Sequence, residues 1–480
     1  MKHSSDTPSK VLRVIFSFPS FSLKDLNCEF SPCLEIRNLT GEGLFRLLYI
    51  NNEIALKPAL AESWTFSKNN LLIQIKKNIK NSDGISITAA DFVESWKKAL
   101  TSKKFNKARF LFPIIQAKPF FEGQVPFSQV GIKALNPQTL SLTFIKPVPQ
   151  FLFSLSHPSS WLQDLPFEKG SRSLGPFLIA NKPSSTKLIL TRNPNYWGIR
   201  PIVDQIEITT FSNKQFAMNS FEDKEAHLIF GDIGTSRREN IQLYPTPYRT
   251  VLIFNERNRL LRDLNLRKAL FLSINKTEWV NTLQQPILLA SGLDPFIASP
   301  TSSKEIYDPN KAKSLHTAFL KNNLLTSESQ TLTLAYPVQL QSIATNLSMQ
   351  WLKQLNLNIQ LTPTGNKETK GDWDMLLTQV KTDAFTLSNG IESLAKQEWK
   401  LNESSTAYQL LKSVNQFKNK NFESLEEAYK EFSKLESVLI QDKAIYYPLY
   451  NEALTALQQP NLKGLVIDPA GGFNFTNVTF

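Results

Sequence analysis

The stretch from Leu71 to Leu100 constrains this chain's fold more than any other. Leu71, Ile73 and Ile75 alternate with Leu72, Gln74 and Lys76, the period-two pattern of a strand. Ser82-Asp83-Gly84 marks a turn after it. Thr88 followed by Asp91 predicts a helix start, and Phe92, Val93, Trp96, Ala99 and Leu100 then share one helical face. Strand, turn and helix in that order point to a chain that mixes both kinds of element.

The same reading extends along the chain. Leu140, Leu142 and Phe144 alternate with Thr139, Ser141 and Thr143, and Leu188 and Leu190 lie in a third strand closed by Asn193-Pro194-Asn195. Helices are more frequent later. Asp308-Pro309 predicts an N-cap and first-turn proline ahead of Ala312, Leu315 and Phe319. Ile343, Leu347 and Trp351 make another stripe. Ser424 with Glu427 predicts a capping box before Ala428, Phe432, Leu435 and Leu439. Ile445-Tyr446-Tyr447-Pro448-Leu449-Tyr450 reads as a buried strand, whereas residues 386–424 are polar and weakly patterned. No fixed period recurs, which argues against solenoids and propellers and leaves an α/β class of the mixed α+β kind. A length of 480 residues corresponds to two to four cores at roughly 100–200 residues per domain.

Composition narrows the function classes. Hydrophobic residues make up 41% and charged residues 20%, so the signature of disorder is absent. No window of about 18 consecutive apolar residues occurs, which argues against a spanning helix. The start, Met1 to Pro8, lacks the apolar stretch of a secretory signal. Two readings follow, a protein that stays inside or one whose signal has been removed. The 54 Lys and Arg exceed the 42 Asp and Glu for a net charge of +12, which favours acidic surfaces or anionic partners. The lysine clusters at 76–80 and 103–107 are short and interrupted by apolar residues, so the continuous basic stripe of a nucleic-acid binder is missing.

Catalytic signatures are missing one after another. The chain has no Gly-rich phosphate loop, no dinucleotide fingerprint and no nucleophile elbow. Its four histidines, His3, His157, His227 and His316, are far apart, and Cys28 and Cys33 belong to no zinc-type ligand set. Five residues apart, the two cysteines leave open both a local disulfide and two separate thiols. These observations predict a protein that is not an enzyme and that carries no metal or cofactor.

Four ordered segments carry a more specific message. The first runs Pro58-Ala59-Leu60-Ala61-Glu62-Ser63-Trp64, through Ser82-Asp83-Gly84, to Thr88-Ala89-Ala90-Asp91-Phe92-Val93-Glu94-Ser95-Trp96. The second is Gly175-Pro176-Phe177 followed by Arg192-Asn193-Pro194-Asn195-Tyr196-Trp197. The third joins Phe254-Asn255 to Asp263-Leu264-Asn265-Leu266-Arg267-Lys268-Ala269-Leu270 and Ser273-Ile274-Asn275-Lys276. The fourth is Tyr307-Asp308-Pro309-Asn310-Lys311-Ala312 with Asp372-Trp373-Asp374-Met375. Over roughly residues 11–475 this set resembles the oligopeptide and dipeptide receptors among the extracytoplasmic solute-binding proteins of ATP-driven (ABC) importers. Asn265 departs from the family's usual Arg.

The resemblance implies a two-lobed, periplasmic-binding-protein-like fold with an inserted extra domain and a two-crossover hinge. Lobe one would comprise residues 11–50, 174–252 and 455–480, the inserted domain 51–173, and lobe two 253–454. It also implies a monomeric periplasmic or cell-surface receptor that binds a peptide between its lobes and delivers it to a membrane permease, with no nucleic-acid partner. In such proteins the peptide backbone pairs with strand segments, and an aspartate holds the α-ammonium. By position that aspartate is Asp383, in the stretch Gln379-Val380-Lys381-Thr382-Asp383. Gln379 and Val380 stand where Gly and Trp are usual, and Ala384 replaces a Tyr. The altered pocket wall keeps open a different ligand, such as a modified peptide, cell-wall fragment or metal chelate. Phe18 and Pro19, after the first strand, fall where the lobe-one ligand loop begins, and Phe254 and Asn255 fall at a crossover. Trp64, Trp96, Tyr196 and Trp197 are expected to be core and turn residues.

Overall fold

The structure, a computed structural model, describes residues 10–16, 33–50, 53–102, 108–162, 172–181, 184, 186–211, 213–231, 233, 241–282, 287–290, 292–293, 307–326, 331–364, 373–382, 387–396, 406–422, 425–468 and 472–480. Phe18, Pro19, Cys28, Asp383 and Ser424 lie outside them, as do residues 103–107. The chain divides into two compact units, Met1–Tyr244 with Leu454–Phe480, and Pro245–Ala453. Residue 253, expected to open lobe two, therefore lies inside the second unit. Residues 51–173, expected as a separate domain, belong to the first.

The first unit holds β1 (Val11–Phe16), the hairpin β2 (Phe45–Ile50) and β3 (Glu53–Pro58), then β4 (Ala61–Ser67), β5 (Asn70–Ile75), β6 (Ile132–Asn136) and β7 (Thr139–Thr143). It continues with β8 (Phe177–Ile179), β9 (Lys187–Arg192), β10 (Gln205–Thr210) and β11 (Leu228–Gly231). Its main sheet runs β8-β9-β10-β1-β11, with β1 parallel to both neighbours. The separate sheet β4-β5-β7-β6 is antiparallel throughout. Leu71, Ile73 and Ile75 are buried on one face of β5, as the alternation predicts. The helix Ala89–Thr101 buries Phe92, Trp96 and Leu100, each worth roughly 1.5–3 kcal/mol of transfer free energy. It starts where expected: Asp91 Oδ2 accepts from the Thr88 N–H at 2.7 Å and from its hydroxyl at 2.9 Å.

The most recognisable sequence segments meet in one joint of this unit. Asn195 Nδ2 donates to the Ser82 carbonyl at 2.8 Å, and Asn193 Nδ2 to the Gly175 carbonyl at 2.9 Å. The Tyr196 hydroxyl donates to Glu42 Oε2 at 3.3 Å, and the Lys76 ammonium sits 4.4 Å from the Trp197 ring centroid. A Cβ on Gly175 would come within 2.5 Å of the Leu39 carbonyl, so only glycine permits that approach. Trp96 is 1% exposed and donates to the Ser160 carbonyl at 2.9 Å. These residues hold elements together.

The chain crosses to the second unit within β12 (Ile241–Phe254). There follow β13 (Ile287–Leu289), β14 (Leu332–Pro337), β15 (Ile359–Thr364) and β16 (Met375–Lys381), and β17 (Tyr446–Gln458) carries the chain back. The order is β15-β14-β16-β12-β17, with β13 paired to β17. Helices Leu264–Leu272, Pro309–Asn323, Gln341–Leu355 and Leu425–Ser437 accompany the sheet, and Ile343, Leu347, Trp351, Ala428 and Phe432 are fully buried in one core with it. Asp308 caps its helix by accepting from the Lys311 N–H at 2.9 Å. Among the described residues no helix is long and apolar enough to cross a membrane.

Candidate ligand-binding residues

β16 carries the stretch singled out for ligand contact. Its core residues Met375, Leu377 and Val380 are buried, and it pairs antiparallel with β12 so that Gln379 faces Thr250 and Val380 faces Arg249. Val380, at 1% exposure, is part of the second unit's core. Phe254 is likewise fully buried there, against Phe271. Both side chains, expected at the ligand, are buried in this structure. Asn255 is committed as well: its Nδ2 donates to the Trp373 carbonyl at 2.7 Å, and its Oδ1 accepts from the Arg257 N–H at 3.1 Å. The neighbouring Asp374 accepts from Asn258 Nδ2 at 2.6 Å and from the Thr333 N–H at 2.8 Å. Together these bonds splice the start of β16 to β12 and β14. Lys381 is half-buried at the far end of β16.

Gln379 reaches a charged group. Paired residues of antiparallel strands project from the same face, so Gln379 and Thr250 share one. From there the Gln379 amide donates to Glu452 Oε1 on β17, the strand beyond β12. Burial raises the Glu452 carboxyl above its usual range, and the bond from Gln379 opposes the rise. Thr250 is fully buried, and its Oγ1 has no hydrogen-bond partner among the described residues. The three side chains form a polar row across β16, β12 and β17. Thr250 and Glu452 were missed by sequence reasoning. The available signal was a carboxylate inside the mostly apolar run from Tyr446 to Leu457.

A second acid lies beyond the end of β16. Glu436 Oε1 accepts from the Leu293 N–H at 2.7 Å and from the Tyr446 hydroxyl at 3.1 Å. Burial pushes its carboxyl up to about 7, against the pull of those two bonds and of the Arg249 charge. A Cβ on Gly292 would meet Glu436 Oε2 at 2.5 Å, and one on Gly390 would meet Leu293 Cβ at 2.9 Å and Thr382 Cγ2 at 3.1 Å. Two glycines thus let three segments close around this carboxyl, beside the residue that precedes Asp383. Among the described residues no group of three or more His, Cys, Asp or Glu side chains could hold a metal ion.

Residues 55–402 match the model of the bacterial extracellular solute-binding proteins, family 5. The chain belongs to this family. Among its curated relatives, the dipeptide-binding protein of Lactococcus lactis subsp. cremoris is 26% identical over 372 residues, 67% of each chain. The unliganded open form of the murein tripeptide binding protein MppA matches with a TM-score of 0.79 at 18% identity, covering 98% of both chains. A nickel ABC transporter protein from Bacillus halodurans matches with a TM-score of 0.74 at 16% identity, covering 98% of this chain and all of that one. These likenesses establish the two-lobed family 5 architecture expected from the motif order. The motif residues described above are the ones that build it.

Proposed function

We propose that this family 5 protein is a peptide receptor outside the cytoplasm, a monomer that hands its ligand to the membrane permease of an ABC importer. The observation that carries the reading is the family match over residues 55–402, joined by the name of the dipeptide-binding relative. The two expected lobes close around the ligand, because contacts made with both favour the closed state by their differential free energy. No turnover accompanies binding. Asp383, directly after the Thr382 segment, anchors the peptide α-ammonium.

A second reading, a modified peptide, cell-wall fragment or metal chelate in the same fold, draws on the murein tripeptide and nickel proteins. The replacement of Gly and Trp by Gln379 and Val380 favours it.

Calorimetry with a free-amine peptide and its N-acetylated form separates the readings. Asp383→Asn keeps the shape and removes the charge, which leaves a shielded ammonium unpaired at about 2–5 kcal/mol, or about 30-fold to several thousand-fold in affinity. The wild type should discriminate between the two peptides and Asp383→Asn should not. A change below about fivefold marks an exposed pair and ends the Asp383 assignment. Failure of the wild type to bind either peptide refers the site to the second reading.

A further inference from the structure

Glu452 differs from the other buried acids of the molecule. Glu42 is paired with Arg46, and Glu436 accepts two hydrogen bonds and feels the charge of Arg249. Among the described residues Glu452 has no ion-pair partner, and its hydrogen bond comes from the neutral amide of Gln379. A partly desolvated carboxylate without a counter-charge is costly in free energy unless a cation arrives to meet it. Beside it lies a second unmet demand, since the buried Thr250 hydroxyl on the strand between them has no partner among the described residues.

The Glu452 carboxylate accepts and the Thr250 hydroxyl oxygen can accept, and the group they suit carries a positive charge and several N–H donors. We infer that Glu452, Thr250 and Gln379 form an alkylammonium subsite on the second unit, distinct from the Asp383 anchor. A primary ammonium has three donors and a compact charge. One donor reaches the Glu452 carboxylate and another the Thr250 hydroxyl oxygen, while Gln379 holds Glu452 in place. The subsite deepens the peptide-receptor reading and rests on it: the ammonium is supplied by a lysine-type side chain of the peptide.

Calorimetry on Ala-Lys-Ala, Ala-norleucine-Ala and N-acetyl-Ala-Lys-Ala tests it, with wild type, Glu452→Gln and Thr250→Val, each checked for a native unfolding transition. The wild type should prefer the lysine probe over the norleucine probe by about tenfold or more, as expected for a partly shielded charge pair. Glu452→Gln should reduce that preference to below about threefold, the range of an exposed pair, and Thr250→Val should weaken it less. The effect of Glu452→Gln should be the same on the acetylated and the free lysine probe, because the α-amine is held elsewhere. A lysine preference that survives Glu452→Gln unchanged overturns the inference. If the wild type binds none of the three, the peptide reading fails, and the subsite is decided by the carboxyl 13C shift of Glu452 under saturating propylammonium. A shift absent from Glu452→Gln supports it, and an unmoved resonance overturns it.

Discussion

Two carboxylates, one in each unit, are treated in opposite ways. In the first unit Glu42, its side chain 1% exposed, meets Arg46 at 2.6 Å. It also accepts from the Gly43 N–H at 3.2 Å and the Tyr196 hydroxyl. Arg46 completes the knot with the Asn38 and Gly41 carbonyls, both at 3.2 Å, and stacks 4.5 Å from the Trp161 ring centroid. A Cβ on Gly43 would stand 2.0 Å from that ring. In the second unit Glu452 lies half-buried with one neutral donor. A buried charge with every demand met is structure, whereas one left short is available to a ligand.

The comparison breaks most visibly at Arg46. Arg46→Met leaves Glu42 buried without its counter-charge and should cost about 3–5 kcal/mol, read as a lower urea midpoint. A loss under about 1 kcal/mol, the worth of an exposed pair, would show that the knot is solvated and the contrast with Glu452 false.

Glu436 stands between the two cases and predicts a pH dependence. Its folded value near 7 lies above the ordinary 4.5, so the folded protein holds a proton that the unfolded chain releases. Its contribution to stability is full below pH 4.5 and is lost as pH rises through about 7. At about 1.4 kcal/mol per unit the loss is on the order of 3 kcal/mol. Glu436→Gln should flatten the curve of unfolding free energy against pH over that window. An unchanged slope in Glu436→Gln would assign the dependence elsewhere.

The smallest effect has the opposite sign to the first. Because burial disfavours the charged form of Glu452, Glu452→Gln should slightly raise the thermal midpoint of the ligand-free protein at pH 8, and the gain should vanish near pH 4. A midpoint that falls instead would make Glu452 a structural acid like Glu42. Stability gained at the expense of ligand affinity would mark it as functional.

Much of the architecture was legible because it rests on local pattern. Leu71, Ile73 and Ile75 alternate, Thr88 and Asp91 close a capping pair, and Asp308 caps its helix, and each of these acts within a few residues. The motif order carried the family as well. The binding residues were less legible. Val380 and Phe254 are apolar positions on strands, and sequence alone does not say how deeply such a side chain is buried; both belong to the second unit's buried cluster. Asn255 looked available and is held by the backbone of Trp373.

The polar row shows most clearly where local pattern stops. Gln379 and Glu452 are 73 residues apart, and Thr250 lies far upstream of both. Nothing in the spacing of these three relates them. Their adjacency follows from the strand order β16-β12-β17, and so does the desolvation that makes Glu452 unlike an ordinary surface carboxylate. Side-chain period, turns and caps are written in neighbouring residues, because backbone geometry repeats over two to four positions. Burial and counter-charge belong to the assembled sheet, because they depend on which distant strand lies alongside.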